Sequence, residues 1–457
     1  MVPVSSLLYG FKSECHIAGA GRLMRADVVV VGAGPAGLAS ATRLAEAGRQ
    51  VLLLARGNGF THWGPGAVDV LGRVDGEPVE RPLEAVDRLG EGHPYHLVGR
   101  ESLRDGLDWF ARFAAEAGLA HAGDLEANRR QVTTFGTLRP TCLVPEPAAG
   151  ALRGRVAVVN FSGFRDFSPA LCAARLGHAG VDAFPATAPL PPWDHDRYFT
   201  GVELARAIDD AGFRRRLGPG LARAAAGADV VVVPAVLGLN RGHEPWADLQ
   251  ELVGAPLVEA ATAPPSIPGL RLFAAYRARL EALGVRWQFG FPAVGVERDG
   301  DRVTAVRSEG ASRVLATRCQ ELVLATGGVA GNGIEANRDG TLTEQVAGLP
   351  VDGFGDRLAF LADRFLGDHP LGAAGVRVDA ELRPVDASGE PLLANVHCVG
   401  GLLAGHDPTG EGSREGVALA TAARVAALLA ATPPALRGAS LEPPGPPVDR
   451  GARLEPP

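Results

Sequence analysis

The sequence predicts an α/β fold, a parallel sheet assembled from distant stretches of chain with a second α/β domain inserted between them. Three observations carry this expectation. An apolar run, Val28–Val31, passes through Gly32-x-Gly34-x-x-Gly37 into helical sequence. A second apolar run, Glu321–Ala325, leads into Thr326-Gly327-Gly328. A third, Asn395–Gly400, passes through a glycine-rich loop into an alanine-rich helix, Gly416–Leu429. Strands that end in glycine turns sit side by side at the carboxyl edge of a parallel sheet, where ligands bind.

Taken in order, residues 1–23 show no period and are expected to form a disordered leader. Val28–Val31 reads as a buried strand, Ala36–Ala47 as a helix and Val51–Leu54 as a second parallel strand. Residues 100–118 are helical, with Leu103, Leu107, Phe110 and Phe113 on one face, a stripe that belongs to a core. Val156–Asn160 and Val230–Val233 are strands, each followed by helical sequence. They imply an inserted α/β domain over 76–262. Residues 268–283 are helical again, and 293–307 alternate around Asp299-Gly300-Asp301, a hairpin turn. The nucleotide-binding unit is expected in three parts, 24–75, 263–345 and 346–432. From 433 to 457 the chain is rich in Pro, Gly and Arg and reads as a disordered tail.

Composition excludes several classes. A net charge of −7 gives no basic face for nucleic acid. Lys12 is the only lysine, so neither a Schiff-base lysine nor a P-loop lysine has a candidate in the folded region. Cys15, Cys142, Cys172, Cys319 and Cys398 show no C-x-x-C spacing and read as buried free thiols. No apolar run reaches the roughly 18 residues that span a bilayer, and Arg424 interrupts the nearest one. No signal peptide is visible. A cytoplasmic location is expected, with any membrane contact made through a partner.

The motifs point to a flavin. Gly32 permits a tight turn, Gly34 lets backbone approach a phosphate, and Gly37 lets the helix pack on the strand. The helix N-terminus then offers free N–H groups to an anion. This is the signature of an FAD/NAD(P)-binding, Rossmann-like domain of the glutathione-reductase type. The second strand should end in an acid for an adenosine ribose, but it ends in Ala55-Arg56-Gly57. The ligand is then FMN, which has no adenosine, or FAD held another way. Thr326, Gly327, Gly400 and Gly401 should lie along the cofactor. Gly416 should stand at the pyrimidine end, with Ser413 as the cap of the last helix. His62 lies in a loop placed to reach the reactive edge, as a proton donor or as a structural residue. Asp194-His195-Asp196 reads as a solvated loop, and Pro94 argues against a ligand face at His93-Pro94-Tyr95-His96.

With these residues in view, the chain resembles the B subunits of anaerobic glycerol-3-phosphate dehydrogenases over most of 24–430. The resemblance includes Ala55-Arg56-Gly57 with the His62 loop, His93-Pro94-Tyr95, Phe135-Gly136-Thr137-Leu138-Arg139 and Ser162-Gly163-Phe164-x-Asp166-Phe167. It continues through Ala263-Pro264-Pro265-Ser266, Gly269-Leu270-Arg271-Leu272 and Gly405-His406-Asp407-Pro408. It implies an FMN flavoprotein working with a catalytic FAD subunit and a membrane-associated iron–sulfur subunit. Such a complex oxidises sn-glycerol 3-phosphate to dihydroxyacetone phosphate and passes electrons to quinone. Ser413-Arg414-Glu415 departs from the family's glycine-rich loop. Two rival readings stand beside this one. The first is a stand-alone FAD enzyme of the fumarate-reductase-like group acting on a small organic acid. The second is a flavin-free scaffold subunit.

Overall fold

The computed structural model describes residues 24–195, 198–310, 313–352, 361, 362, 364 and 369–431. The expected leader 1–23 and tail 433–457 lie outside the described residues. The chain opens with β1 (Met24–Val31), α1 (Pro35–Glu46) and β2 (Val51–Ala55). Helix α2 (Pro94–Glu116) follows, then a hairpin of β3 (Arg129–Val132) and β4 (Leu138–Thr141). A second unit contains β5 (Arg155–Phe161), α3 (Pro169–His178), β6 (Asp182–Ala188), α4 (Gly201–Ile208), α5 (Ala211–Ala224), β7 (Val230–Pro234), α6 (Glu244–Val253) and β8 (Leu257–Ala260). Helix α7 (Ile267–Ala282) returns the chain to the first unit. It continues with β9 (Arg286–Phe289), β10 (Ala293–Asp299), β11 (Arg302–Glu309), β12 (Val314–Leu324), β13 (Val396–Cys398) and α8 (Arg414–Ala430).

Two sheets organise this chain. The larger runs β9-β2-β1-β12-β11-β10, with β13 also paired to β12. Strands β9, β2, β1, β12 and β13 are parallel, and β10 to β12 form an antiparallel meander. Val28, Val29 and Val30 are wholly buried, as expected of a parallel strand covered on both faces. The smaller sheet, β6-β5-β7-β8, is parallel throughout and has its own core around Val156–Val159 and Val230–Val233. Three of its helices start on side-chain caps: Ser168 for α3, the Thr200–Glu203 capping box for α4 and Asp210 for α5.

The structure draws the inserted unit more narrowly than 76–262. Val79, Leu83, the α2 stripe, Leu119 and Leu143 all belong to the first core. The reason is helix packing. A β-carbon on Gly106 of α2 would lie 2.6 Å from the carbonyl oxygen of Leu419 in α8, so the two helices touch backbone to backbone. Strands β6, β8 and β9 and the hairpin β3–β4 are not evident in the sequence pattern. Each is short or alternates weakly.

Strand β12 changes partner along its length. Val314–Arg318 pairs with β11, whereas Leu322–Leu324 pairs with β13. Asn395 closes the gap between them. Its amide donates to the carbonyls of Val303 (2.8 Å) and Gln320 (2.5 Å), and its oxygen accepts from Val303 N–H (2.8 Å). The side chain is buried, so every one of these bonds replaces water. Asn395→Ala should lower unfolding stability by about 2–4 kcal/mol, read from the urea midpoint. A change below about 0.5 kcal/mol would contradict this role.

Candidate functional site

Four strand ends lie in a row at the carboxyl edge of the larger sheet. Gly32 N–H donates to the Leu54 carbonyl (2.8 Å), Ala325 N–H to Val31 (2.8 Å) and Val399 N–H to Leu324 (2.9 Å). Gly32 sits at φ +115°, and a β-carbon there would be 2.2 Å from the Ala325 carbonyl oxygen. One on Gly37 would be 1.9 Å from the Gly32 carbonyl oxygen. Gly34 differs, because a β-carbon on it would meet nothing within 4 Å. Helix α1 starts at Gly34-Pro35 without a side-chain cap, which leaves its first-turn amides for an anion. The loop after β2 folds onto this turn at Gly59, a residue that no motif marks: a β-carbon there would lie 2.4 Å from Gly34 N. Arg56 is exposed beside it and Gly57 is half-buried.

Thr326, Gly327, Gly400 and Gly401 come together next to this turn. A β-carbon on Gly400 would lie 2.6 Å from Ala36 Cβ in α1, and one on Gly401 3.8 Å from Gly327 Cα. Thr326 Oγ1 is buried with no hydrogen-bond partner, so it is free for a ligand oxygen or nitrogen. These features fit a flavin: an uncapped helix start for phosphate, glycine walls for close approach and an orphaned hydroxyl.

Two expected site residues are placed otherwise. Gly416 is packed between Tyr95 and Val70, and its N–H donates to the Asp69 carbonyl (2.8 Å). It is a close-packing position in α8, and its N–H is already used. Ser413 precedes α8 but does not cap it. Its hydroxyl donates instead to Glu411 Oε2 (2.8 Å).

His62 lies on a one-turn helix, Phe60–Trp63, with its ring edge-on to Trp63 and Phe273. Burial pushes its imidazole below the ordinary value. The neighbouring Thr61, and not His62, lines a small, partly open cavity. Its lining also includes Pro35, Phe60, the loop Gly64–Val68, Phe110, Leu272, Tyr276, Glu415 and Leu419. Thr61 is 6% exposed and its hydroxyl has no partner.

Beside the cavity, two carboxyl groups meet. Asp69 is ion-paired with Arg139, which also donates to Gln131 Oε1 (3.0 Å). Asp69 N–H donates to Glu415 Oε2 (3.3 Å). Burial first, and then the negative charge of Asp69, push the Glu415 carboxyl up to about 7, against the pull of Arg414 and Arg139. In sequence, Glu415 shows only as a departure from a glycine-rich loop. No spacing rule connects residues this far apart, and only the fold joins them.

A second polar cluster holds the C-terminal loop. His93 Nδ1 accepts from Tyr95 N–H (3.1 Å), which puts its proton on Nε2, and Nε2 donates to Glu411 Oε2 (3.2 Å). His406 packs edge-on against the His93 ring, and burial, then His93, lower it to about 4. Pro94 is the first residue of α2 and His96 is exposed, so the two histidines diverge. His195 packs on Trp193 and Phe199. Cys142, Cys172, Cys319 and Cys398 are buried thiols. Among the described residues no helix is long and apolar enough to cross a membrane.

The parallel sheet, its glycine turn and the converging strand ends define a flavin-binding, FAD/NAD(P)-type Rossmann protein. Residues 27–417 match the FAD binding domain family. Within that class the chain belongs to the family of anaerobic glycerol-3-phosphate dehydrogenase B subunits. It is 32% identical over 418 residues to the B subunit of that enzyme from Yersinia pestis bv. Antiqua (strain Antiqua), covering 88% of this chain and 97% of that one. It is 35% identical over 415 residues to a probable B subunit from Halobacterium salinarum (strain ATCC 29341 / DSM 671 / R1), covering 87% and 96%. A solved 3-ketosteroid Δ1-dehydrogenase from Sterolibacterium denitrificans aligns at 13% identity with a TM-score of 0.43, covering 89% of this chain and 99% of that one. At that distance the likeness carries no functional weight. The family membership makes this chain a flavoprotein.

The glycine geometry separates two substitutions. Gly34→Ala should keep the melting temperature within about 2 °C and weaken flavin binding by at least about tenfold, measured by flavin release. Gly37→Ala should destabilise the fold by about 3 kcal/mol or more, because backbone must move. Equal behaviour of the two variants would contradict the assignment of Gly34 to the ligand.

Proposed function

We propose that this chain carries FMN and serves as the electron-transferring subunit of a complex that oxidises sn-glycerol 3-phosphate to dihydroxyacetone phosphate and delivers the electrons to quinone. The observation that carries the cofactor choice is the end of β2. Ala55 is buried, its carbonyl accepts from the N–H groups of Gly290 and Phe291, and the next residue is the exposed Arg56. No carboxylate stands there to receive ribose hydroxyls. A ligand with one phosphate and no adenosine has no use for such a group. The description of the matched family favours FAD instead, and this is the second reading.

A bound flavin supplies two-electron acceptance and stepwise release. The chain's own residues do the rest. Gly34 and the first-turn amides of α1 hold the phosphate, with Arg56 and Gly57 beside them. Gly32 and Gly37 fix the turn. Thr326 and Gly327 from one strand end, with Gly400 and Gly401 from another, bind along the cofactor. His62, whose imidazole burial pushes below its ordinary value, backs the loop that carries Thr61.

The subunit reading rests on the names of the relatives. The partners proposed are a catalytic FAD subunit and a membrane-associated iron–sulfur subunit. They would hold this chain at the inner face of the cell membrane and cover the loops around His62 and Ser413. Acid extraction and chromatography of the purified chain should yield FMN at about one per chain. Recovery of FAD without FMN would sink the cofactor choice. In parallel, the flavin-loaded chain alone should not turn over glycerol 3-phosphate with a quinone analogue, whereas the reconstituted complex should. Comparable turnover by the isolated chain would favour a stand-alone dehydrogenase.

A further inference from the structure

We propose that His121 is a proton-operated latch: with both ring nitrogens protonated it holds the carbonyls of Leu119 and Gly66 together, and on losing one proton it lets Gly66 go. The latch is built from the chain's own hydrogen bonds and holds whichever flavin the chain carries.

His121 opens a short strand, His121–Ala122, that pairs with Val144–Pro145. Its ring stands edge-on to Phe110 of α2, with centroids 5.0 Å apart. Nδ1 lies 2.7 Å from the Leu119 carbonyl oxygen, and Nε2 lies 2.7 Å from the Gly66 carbonyl oxygen. Both partners can only accept. A neutral imidazole has one N–H and one lone pair, so it can bond only one of them. Its other nitrogen would face a carbonyl oxygen lone pair to lone pair at hydrogen-bond distance. Only the imidazolium, with two N–H groups, satisfies both contacts. The bridge in this structure is therefore that of the charged ring.

The surroundings oppose that charge. His121 shares a small cleft with Gly66, His243 and Arg271. Arg271, from α7, is a cation whose guanidinium is engaged with Glu259 of β8. His243, just before α6, is buried, and its Nδ1 has no hydrogen-bond partner. Burial, then Arg271 and His121, lower it to about 3. The exposed Glu146 carboxylate lies 4.0 Å from that Nδ1, on the far side of His243 from any bond to His121. The loop and α2 bring Gly66 and Phe110 to the ring, and neither is charged. Burial lowers the His121 imidazole, and the two carbonyls pull it back only in part. The second proton therefore leaves below the ordinary 6.5, and the ring is neutral at about pH 7.

The contact that yields on neutralisation is the one to Gly66. Leu119 is a neighbour in sequence, and its N–H is fixed to the Ala114 carbonyl (2.8 Å). Gly66 sits at φ +74°, and a glycine can turn its carbonyl at little steric cost. Val68 is pinned to Leu143 by bonds in both directions (2.8 and 3.1 Å), so the movement is confined to the peptides just before it. The segment runs back through Thr61 to Gly59, whose backbone rests on the glycine turn. The latch thus governs how firmly this loop is seated, at the cost of one proton exchanged with water.

The test uses the full chain with ¹⁵N-labelled histidine between about pH 4.5 and 8. The His121 ring is identified as the signal missing from His121→Phe. It should show both nitrogens protonated at the acid end and a bare Nε2 at the basic end. Hydrogen exchange of the peptide holding Gly64–Val68, corrected for the intrinsic rate, should be at least about threefold slower at the acid end in wild type. It should not change with pH in His121→Phe or His121→Gln. Global stability should move the other way. His121 takes a proton more readily unfolded than folded, so its contribution is whole above 6.5 and is lost as pH falls toward the lowered value. Wild-type stability relative to His121→Phe should therefore fall while the loop becomes better protected, a pair of opposite signs that a simple packing role does not produce. Should His121→Phe fail to fold, His121→Gln supplies both the identification and the comparison. A ring that keeps the same number of protons throughout overturns the proposal. So does a loop whose exchange follows the same pH profile in wild type and variant.

Discussion

The first core exists because α1 lies against the sheet at a distance that leaves no room for a β-carbon. Gly37 meets the Gly32 backbone, and Gly32 meets the Ala325 carbonyl. This contact sets how close α1 stands to β1 and β12. It therefore aligns the strand ends of β2, β1, β12 and β13 and points the first-turn amides over their edge. Gly400 extends the same constraint to β13, since its backbone rests against Ala36 of α1. The glycines thus act as a measured spacing, which leaves open space beside Gly34.

Buried charge is handled in two different ways. Between the two units, Arg271 of α7 makes a bidentate ion pair with Glu259 of β8 (2.9 and 3.1 Å). Both are also tied to backbone, Arg271 to the Gly238 carbonyl and Glu259 to Leu237 N–H. A buried pair so fully bonded adds little net stability, but it fixes where α7 crosses from one core to the other. Asp69, Arg139 and Glu415 are the opposite case. Of the two arginines near these acids only Arg139 is ion-paired with either, through Asp69, and one Asp69 oxygen is left unsatisfied. Structural charge in this protein is balanced and closed, and the charge beside the cavity is neither.

The parts of the fold legible in the sequence are those encoded within about twenty consecutive residues. The run from Val28 through Gly37 to the end of α1 is one such unit, and so is the Asp299-Gly300-Asp301 turn between β10 and β11. The α2 stripe is also plain, but its destination is not. Leu103 and Phe110 announce a buried face without saying which core buries it, so the pattern alone places Val79, Leu83, the α2 stripe and Leu119 in the wrong unit. The glycines at the site are legible because their reason is local. Gly416 misleads because the same residue type serves for packing on Tyr95. Thr61, Asp69, Arg139 and Glu415 do not group in the sequence at all. They come from three distant segments, and neither a charge run nor a period links them.

The order of the strands has a consequence for how the protein comes into being. Central β1 is synthesised long before one of its neighbours, β12, which in turn waits for β13. The four strands of the smaller sheet lie between them in sequence and pair only with one another. As the chain emerges from the ribosome, that inserted sheet can close while β1 and β2 still show a bare apolar edge. The nascent protein therefore passes through a long interval with one finished domain and one open template. Its dependence on chaperones in the cell should be concentrated in that interval, before α8 has emerged to cover the first core.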